Sequence, residues 1–372
     1  MTQPVKVACV QAAPVFMDLE ATVDKTLRLI AEASQQGAEL IAFPETWIPG
    51  YPWFLWLNSP ANNFPLVYEY HKHSLVLESE QAQRIADAAK QYSIRVVLGF
   101  SEKDHGSLYI SQWMIGSEGE TIGTRRKLKA THVERTLFGE SDGSSLTSWD
   151  TDIGKVGALC CWEHLQPLTR YAMYAQHEEI HIAAWPGFSL YTQHSAALGP
   201  EVNTAASRLY AAEGQCFVIA PCAIVSQEMI DILFAQGDHG TLLHAGGGHA
   251  RIYGPDGSEL ATPLAEDEEG LLFADLHPDA ITCAKFAADP VGHYSRPDVT
   301  RLLFDNSAKQ QVVNSDLGAV PPAHNVPPTV EKEASPWNPQ FPLRFEKREA
   351  CRYPLRQRIR RRFQLGPPAF RR

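Results

Sequence analysis

No apolar run in these 372 residues approaches the roughly 18 that a membrane-crossing helix requires, so a membrane partner is not expected. The opening stretch, MTQPVKVACVQAAP, has one lysine and a short apolar run broken by Gln11. It lacks the basic, apolar and small-residue segments of a secretory signal, which predicts a cytosolic protein. Cysteine is sparse and odd in number: seven residues, widely scattered. That is poor material for a disulfide framework and ordinary for reduced thiols packed in a core. No GxGxxG or GxxxxGK[ST] loop follows a strand, which leaves nucleotide binding without support. No repeat of fixed period is present either.

The charge is unevenly spread. The chain carries a formal −10, yet from Arg344 to Arg372 ten arginines and Lys347 face only Glu346 and Glu349. Val320–Pro342 holds seven prolines in 23 residues. These two stretches read as an extended arm over 306–372, following one domain over 1–305. Without a nucleic-acid motif, the basic tail is expected to be solvated or to dock on the acidic body of a second copy, not to bind nucleic acid.

Within 1–305, strand-like and helix-like segments alternate. Val5–Gln11, Glu39–Phe43, Ile94–Phe100, Leu108–Ile115, Glu120–Gly123, Val156–Cys161, Ile180–Ala184, Cys216–Ala220 and Gly270–Leu276 read as strands. Asp18–Gln36, Ser79–Tyr92, His164–Gln176 and Asn203–Glu213 carry helical spacing, and ARIYGPDGSEL reads as a hairpin on its PDG turn. Such alternation predicts an α/β fold with helices packed outside the sheets.

The chemistry concentrates at strand ends. In GALCCWEHL two adjacent thiols close an apolar run. Strand alternation places Cys160 and Cys161 on opposite faces. Cys161 is the last residue before a helix expected from about Glu163, whose N–H groups would lower its thiol pKa and hold an oxyanion. Cys160 reads as a packed core thiol. A nucleophilic thiol needs a base and a charge stabiliser. Glu45, just beyond ELIAF, is a candidate base if apolar neighbours raise its pKa. A lysine of the run RRKLK, at Arg125–Lys129, is a candidate stabiliser. The segment HEEIH, at His177–His181, fits H-E-x-x-H. Zinc binding there would need both histidines on one continuous helix, whereas His181 opens the apparent strand IHIAAW, so no metal is expected.

The stretches FPETWIPGYPWF (43–54), RRKLKATHVERTLFGESDG (125–143) and GALCCWEHLQPL (157–168) resemble the signature blocks of nitrilases. AAWPG (183–187), ARIYGPDGSELATPLAEDEEG (250–270) and DPVGHYSRPDV (289–299) continue the resemblance in family order. Two departures stand out: Cys160, where Asn or Ala is frequent, and Ala130, where Pro is common. The resemblance implies a four-layer α-β-β-α sandwich and hydrolysis of an organic nitrile to carboxylic acid and ammonia, without cofactor. It implies Glu45 as general base, Lys127 as catalytic lysine (it directly follows the arginine of the family's RK pattern), Cys161 as nucleophile and Glu134 as second glutamate. Tyr51, His132, Trp162, Trp185 and Pro186 are expected to line the substrate site, an aromatic wall suited to an apolar, aryl or arylalkyl nitrile. Trp47, Trp53 and Trp56 are assigned to the core or to an interface, and Glu163 and His164 to orienting the bend at Cys161. Arg296 and Asp298 read as a structural ion pair. The family also implies a homo-oligomer, built of dimers that can grow into a spiral filament. A cyanide-degrading enzyme or an aliphatic amidase with the same Glu-Lys-Cys set, and a filament-forming scaffold without activity, are the alternatives.

Overall fold

Successive strands bury apolar side chains on both faces, and that requirement stacks two sheets between two helical layers. The computed structural model describes residues 1, 3–234 and 242–312. In chain order the elements begin with β1 (Val5–Ala12), α1 (Leu19–Gln35), β2 (Leu40–Ala42), α2 (Phe54–Leu57), α3 (Phe64–Lys72) and α4 (Glu80–Gln91). They continue with β3 (Arg95–Asp104), β4 (Ser107–Ile115), β5 (Thr121–Arg126), β6 (Ser148–Thr151), β7 (Gly154–Cys160), α5 (Pro167–Tyr174) and β8 (Ile180–Ala184). The series ends with α6 (Pro200–Gly214), β9 (Phe217–Ala220), β10 (Cys222–Ala223), α7 (Gln227–Phe234), β11 (Arg251–Tyr253), β12 (Gly270–Leu276) and α8 (Asp279–Ala287).

One sheet runs β10-β1-β2-β3-β4-β5, with β12 pairing antiparallel to β1; the other runs β11-β9-β8-β7-β6. Val7, Cys9, Leu40, Ala42 and Val97 of the first sheet pack with Val156, Ala158, Ile182 and Ile219 of the second in one buried cluster. Val23, Ile30, Ile85 and Ala89 of α1 and α4 cover the opposite face of the first sheet. Met173, Tyr174, Tyr210 and Ala211 of α5 and α6 pack on the second. This is the expected α-β-β-α sandwich. Met1–Gln310 form one compact unit. The arm expected over 306–372 lies outside the described residues from 313 onward.

Caps account for the helix starts. Asp18 and Ser79 accept from the backbone N–H groups of Ala21 and Ala82, and Pro167 and Pro200 occupy first-turn positions of α5 and α6. The helix expected from His164 starts later, because Cys161–Leu165 form a 3₁₀ turn and Pro167 then sets the start of α5. The PDG hairpin is present, closed by Gly254 N–H donating to Ser258 O and Leu260 N–H to Ile252 O. Helices α2, α3, α7 and α8 were not expected.

Candidate active site

Glu45 follows β2 by a short run, Phe43-Pro44, that crosses the backbone of β3. The crossing is possible because residue 99 is glycine: a Cβ there would stand 2.0 Å from Pro44 O. Lys127 directly follows β5 and continues the ladder, its N–H donating to Ile110 O at 2.7 Å. Glu134 lies in a 3₁₀ turn, His132–Thr136, capped by Thr131. Cys161 begins the turn after β7 with φ +48°. Thr46 (φ +47°) and His132 (φ +47°) share that left-handed conformation, which is costly for residues with a Cβ. Three of the nine left-handed non-glycine residues among those described therefore stand in or next to this cluster of side chains.

Lys127 Nζ donates to Glu45 Oε1 at 2.8 Å and to Glu134 Oε2 at 2.9 Å, with all three side chains buried. Glu134 Oε1 accepts from Tyr51 OH at 2.7 Å, and its Oε2 accepts from Thr131 N–H at 2.7 Å. Glu45 Oε2 is buried without a hydrogen-bond partner among the described residues. Burial pushes the Glu45 carboxyl up, Lys127 pulls it back and Glu134 adds to the rise, leaving it at about 7. For Lys127, burial works against the charge, but Glu134 and Glu45 outweigh it and hold the ammonium well above the usual lysine range.

The expectation of an acidified thiol is overturned. Burial, reinforced by the Glu45 carboxylate, drives Cys161 well above the ordinary cysteine range, past the opposing pull of Lys127 and of the Trp162 N–H. The following 3₁₀ turn has five residues and supplies little of the dipole that a long helix would. The separation of Cys161 from Cys160 also has a different origin: β7 ends at Cys160, and the backbone turn at Cys161 reorients the second thiol. The Cys160 sulfur lies 3.9 Å from the Arg125 guanidinium.

Glu163 ties this bend to the lysine-bearing segment. Its Oε2 accepts from Cys160 N–H at 2.8 Å, and its Oε1 accepts from Leu128 N–H at 2.8 Å and from Arg125 at 2.7 Å. A pocket opens over Cys161 and Glu134, walled by Tyr51, Trp53, Trp56, Trp162, Trp185, Pro186 and Phe188. Trp162 Nε1 donates to Asn203 at 3.1 Å and Trp185 Nε1 to Ser207 at 2.8 Å, which fixes both rings.

Three expectations need correction. His132 is not among the residues lining the pocket; it is exposed and stacks on Trp56, with ring centroids 5.1 Å apart. Trp53 and Trp56, assigned to the core or an interface, line the pocket instead, and Trp56 Nε1 donates to Tyr51 OH at 3.0 Å. Trp47 packs in the core and donates to Thr26. Lys129, the other lysine of the run, is exposed and pairs with Glu140. His177 and His181 do not share a helix: His177 lies on an exposed turn, and His181 is buried on β8 beside Glu178 and His164. Arg296 and Asp298 form an exposed two-point ion pair. Sequence reasoning missed Phe188, Leu190, Leu198 and Asn203 as lining residues. The first two directly follow AAWPG and could have been read from it, whereas the others come from a separate segment with no marking.

A buried carboxylate–ammonium–carboxylate cluster, with Glu134 and the Cys161 thiol facing one pocket of a four-layer sandwich, is an arrangement that covalent hydrolysis by a thiol could use. The family model described as carbon-nitrogen hydrolase matches residues 6–286, and the chain belongs to that family. A nitrilase of Pseudomonas syringae pv. syringae is 68% identical over 84% of this chain and 94% of its own. An aliphatic nitrilase of Rhodococcus rhodochrous is 49% identical over 88% of this chain and 89% of its own. Among solved structures, a carbon-nitrogen hydrolase from Helicobacter pylori shares the fold with TM-score 0.63 at 17% identity, covering 79% of this chain and 96% of that one.

Proposed function

We propose that this enzyme hydrolyses an apolar, aryl-bearing nitrile to its carboxylic acid and ammonia, with Cys161 as nucleophile, Glu45 as general base, Lys127 as charge stabiliser and Glu134 as the residue holding Lys127. One observation carries the reading: Lys127 bridges two buried carboxylates, and one of them, Glu134, lines an aromatic pocket together with Cys161. The unpartnered Oε2 of Glu45 is available to take the Cys161 proton. The sulfur then adds to the nitrile carbon and the proton passes to nitrogen, giving a thioimidate. A water deprotonated by Glu45 adds to the same carbon, and Glu45 returns that proton to nitrogen. The hydroxyl of this tetrahedral species then gives its proton, by way of Glu45, to the nitrogen as the C–N bond breaks, so that ammonia leaves and a thioester remains. A second water, again activated by Glu45, breaks the C–S bond, releases the acid and restores the thiol. Lys127 and the Trp162 N–H stabilise the charge that builds on the tetrahedral species.

The aromatic walls favour a nitrile with a flat apolar substituent over cyanide or a short amide. The test is a panel of phenylacetonitrile, benzonitrile, butyronitrile, cyanide and acetamide, scored by ammonia release. Highest kcat/KM on phenylacetonitrile or benzonitrile is expected; highest values on cyanide or acetamide would overturn the reading. A catalytic domain over 1–305 followed by an arm that contacts neighbouring copies is part of the same proposal, as is a homo-oligomer extending into spirals. Exposed Leu168 on α5 and Val202 and Leu209 on α6 support self-association. A cytoplasmic setting is supported by the six cysteines of the described residues, all of which are free.

A further inference from the structure

Four buried side chains that take no part in the steps above form a continuous chain ending on the nucleophile's own backbone. Tyr210 OH, from α6, donates to Glu178 Oε1. Glu178 Oε2 faces His181 Nδ1 at 3.0 Å, His181 Nε2 faces His164 Nε2 at 2.9 Å, and His164 Nδ1 meets Cys161 O at 2.7 Å. All four side chains are buried. The Tyr210 ring stacks on His181 at 3.7 Å between centroids, and Trp185 stacks on His164 at 5.3 Å. Room for the chain is built into the GALCC segment: a Cβ on Gly157 would stand 1.7 Å from Glu178 Oε2.

Hydrogen-bond chemistry sets the direction of the chain from His181 to Cys161. A carbonyl only accepts, so His164 Nδ1 carries a hydrogen. Burial and the neighbouring His181 hold His164 well below the usual histidine range, hence neutral, and its Nε2 is an acceptor. His181 Nε2 must therefore donate. One further proton lies between His181 Nδ1 and Glu178 Oε2, whichever atom carries it. From His181 onward each contact then runs as donor to acceptor toward Cys161 O, and Glu178, itself held by Tyr210, fixes the other side of the His181 ring.

That carbonyl belongs to the same peptide unit as the N–H of Trp162, which faces the Cys161 sulfur. A donor on the carbonyl oxygen fixes the peptide plane and makes its N–H a stronger donor, as chained hydrogen bonds polarise one another. We propose that Tyr210, Glu178, His181 and His164 are positioning residues that orient and polarise the Cys161–Trp162 peptide unit, so that its N–H serves the charge developing at the reacting carbon. The proposal rests on Cys161 being the nucleophile.

The experiment compares His164→Ala with His164→Asn, and Glu178→Leu with Glu178→Gln, in the full-length protein. An Asn amide can stand where Nδ1 stands, and a Gln at 178 can donate to His181 while accepting from Tyr210. Three readouts are taken: kcat and KM on phenylacetonitrile, the rate of Cys161 capture by iodoacetamide scored by peptide mass spectrometry, and thermal unfolding. His164→Ala and Glu178→Leu should lower kcat by roughly 10–100-fold, with KM within about threefold, somewhat less than deletion of an oxyanion donor itself. His164→Asn and Glu178→Gln should each recover at least about tenfold of a 100-fold loss. Capture of Cys161 should slow in the same order. Should His164→Ala fail to fold, Tyr210→Phe, which deletes one hydroxyl, replaces it, with a loss in kcat expected. The proposal is overturned if folded Asn and Gln variants are as slow as Ala and Leu, or if the losses fall on KM alone. If no nitrile is turned over by the unmodified protein but Cys161 capture follows the stated order, the nitrile reading fails and the relay stands.

Discussion

Cys160 and Cys161 are adjacent and both buried, in different apolar clusters, and only Cys161 has the left-handed backbone and the Trp162 N–H beside its sulfur. Cys161→Ala is expected to abolish ammonia release from nitriles, while Cys160→Ala keeps most of it; equal loss in both would sink the assignment. The acid–base behaviour follows from Glu45. Its base form is the carboxylate, and its carboxyl sits at about 7, so kcat/KM should climb with pH up to and through neutrality and be low near pH 5. A flat profile from pH 5 to 7 would show that another group takes the proton. Residue types at this site were legible because they stand in recognisable strand-end blocks. The state of the thiol was not, because it depends on burial by segments more than a hundred residues away, including Glu45 itself. Trp53 and Trp56 were misread for the same reason, since a tryptophan in a motif looks alike whether it faces a cavity or a core.

Connections between elements decide whether the charged cluster can form. Glu163 joins the bend after β7 to the end of β5 through three donors, one of them the fully buried Arg125. Glu163→Ala leaves that buried guanidinium without its carboxylate, held by Ser145 O and Gln112 Oε1, and should lower unfolding free energy by about 3 kcal/mol, read by urea denaturation. An unchanged midpoint would mean that Arg125 finds another partner. At the crossing of the Pro44–Glu45 run over β3, Gly99→Ala should lower kcat more than tenfold while the protein stays folded. The added methyl meets backbone, not a flexible side chain. Long elements with clear periodicity, such as α1, α4, β3 and β4, were readable within a few residues. Short ones were not: α2 has only four residues, FLWL, and the turn at Cys161–Leu165 looks helical until Pro167 resets the start of α5.

For the whole molecule, the sequence order of strands conveys the layers but not the pairing. β1 meets three partners, β2, β10 and β12, and that arrangement follows from tertiary packing instead of any local pattern. The exposed Leu168, Val202 and Leu209 lead to an expectation about assembly: light scattering should show species larger than one chain, and Val202→Glu with Leu209→Glu should reduce them. A single-chain mass at every concentration tested would refute self-association. Tyr51 has a consequence that reaches across these scales. The same phenol walls the cavity and grips Glu134, which in turn grips Lys127. Anyone who enlarges the chamber there to admit bulkier compounds also loosens the acid–base machinery, so selectivity and speed are coupled through one hydroxyl and cannot be tuned independently.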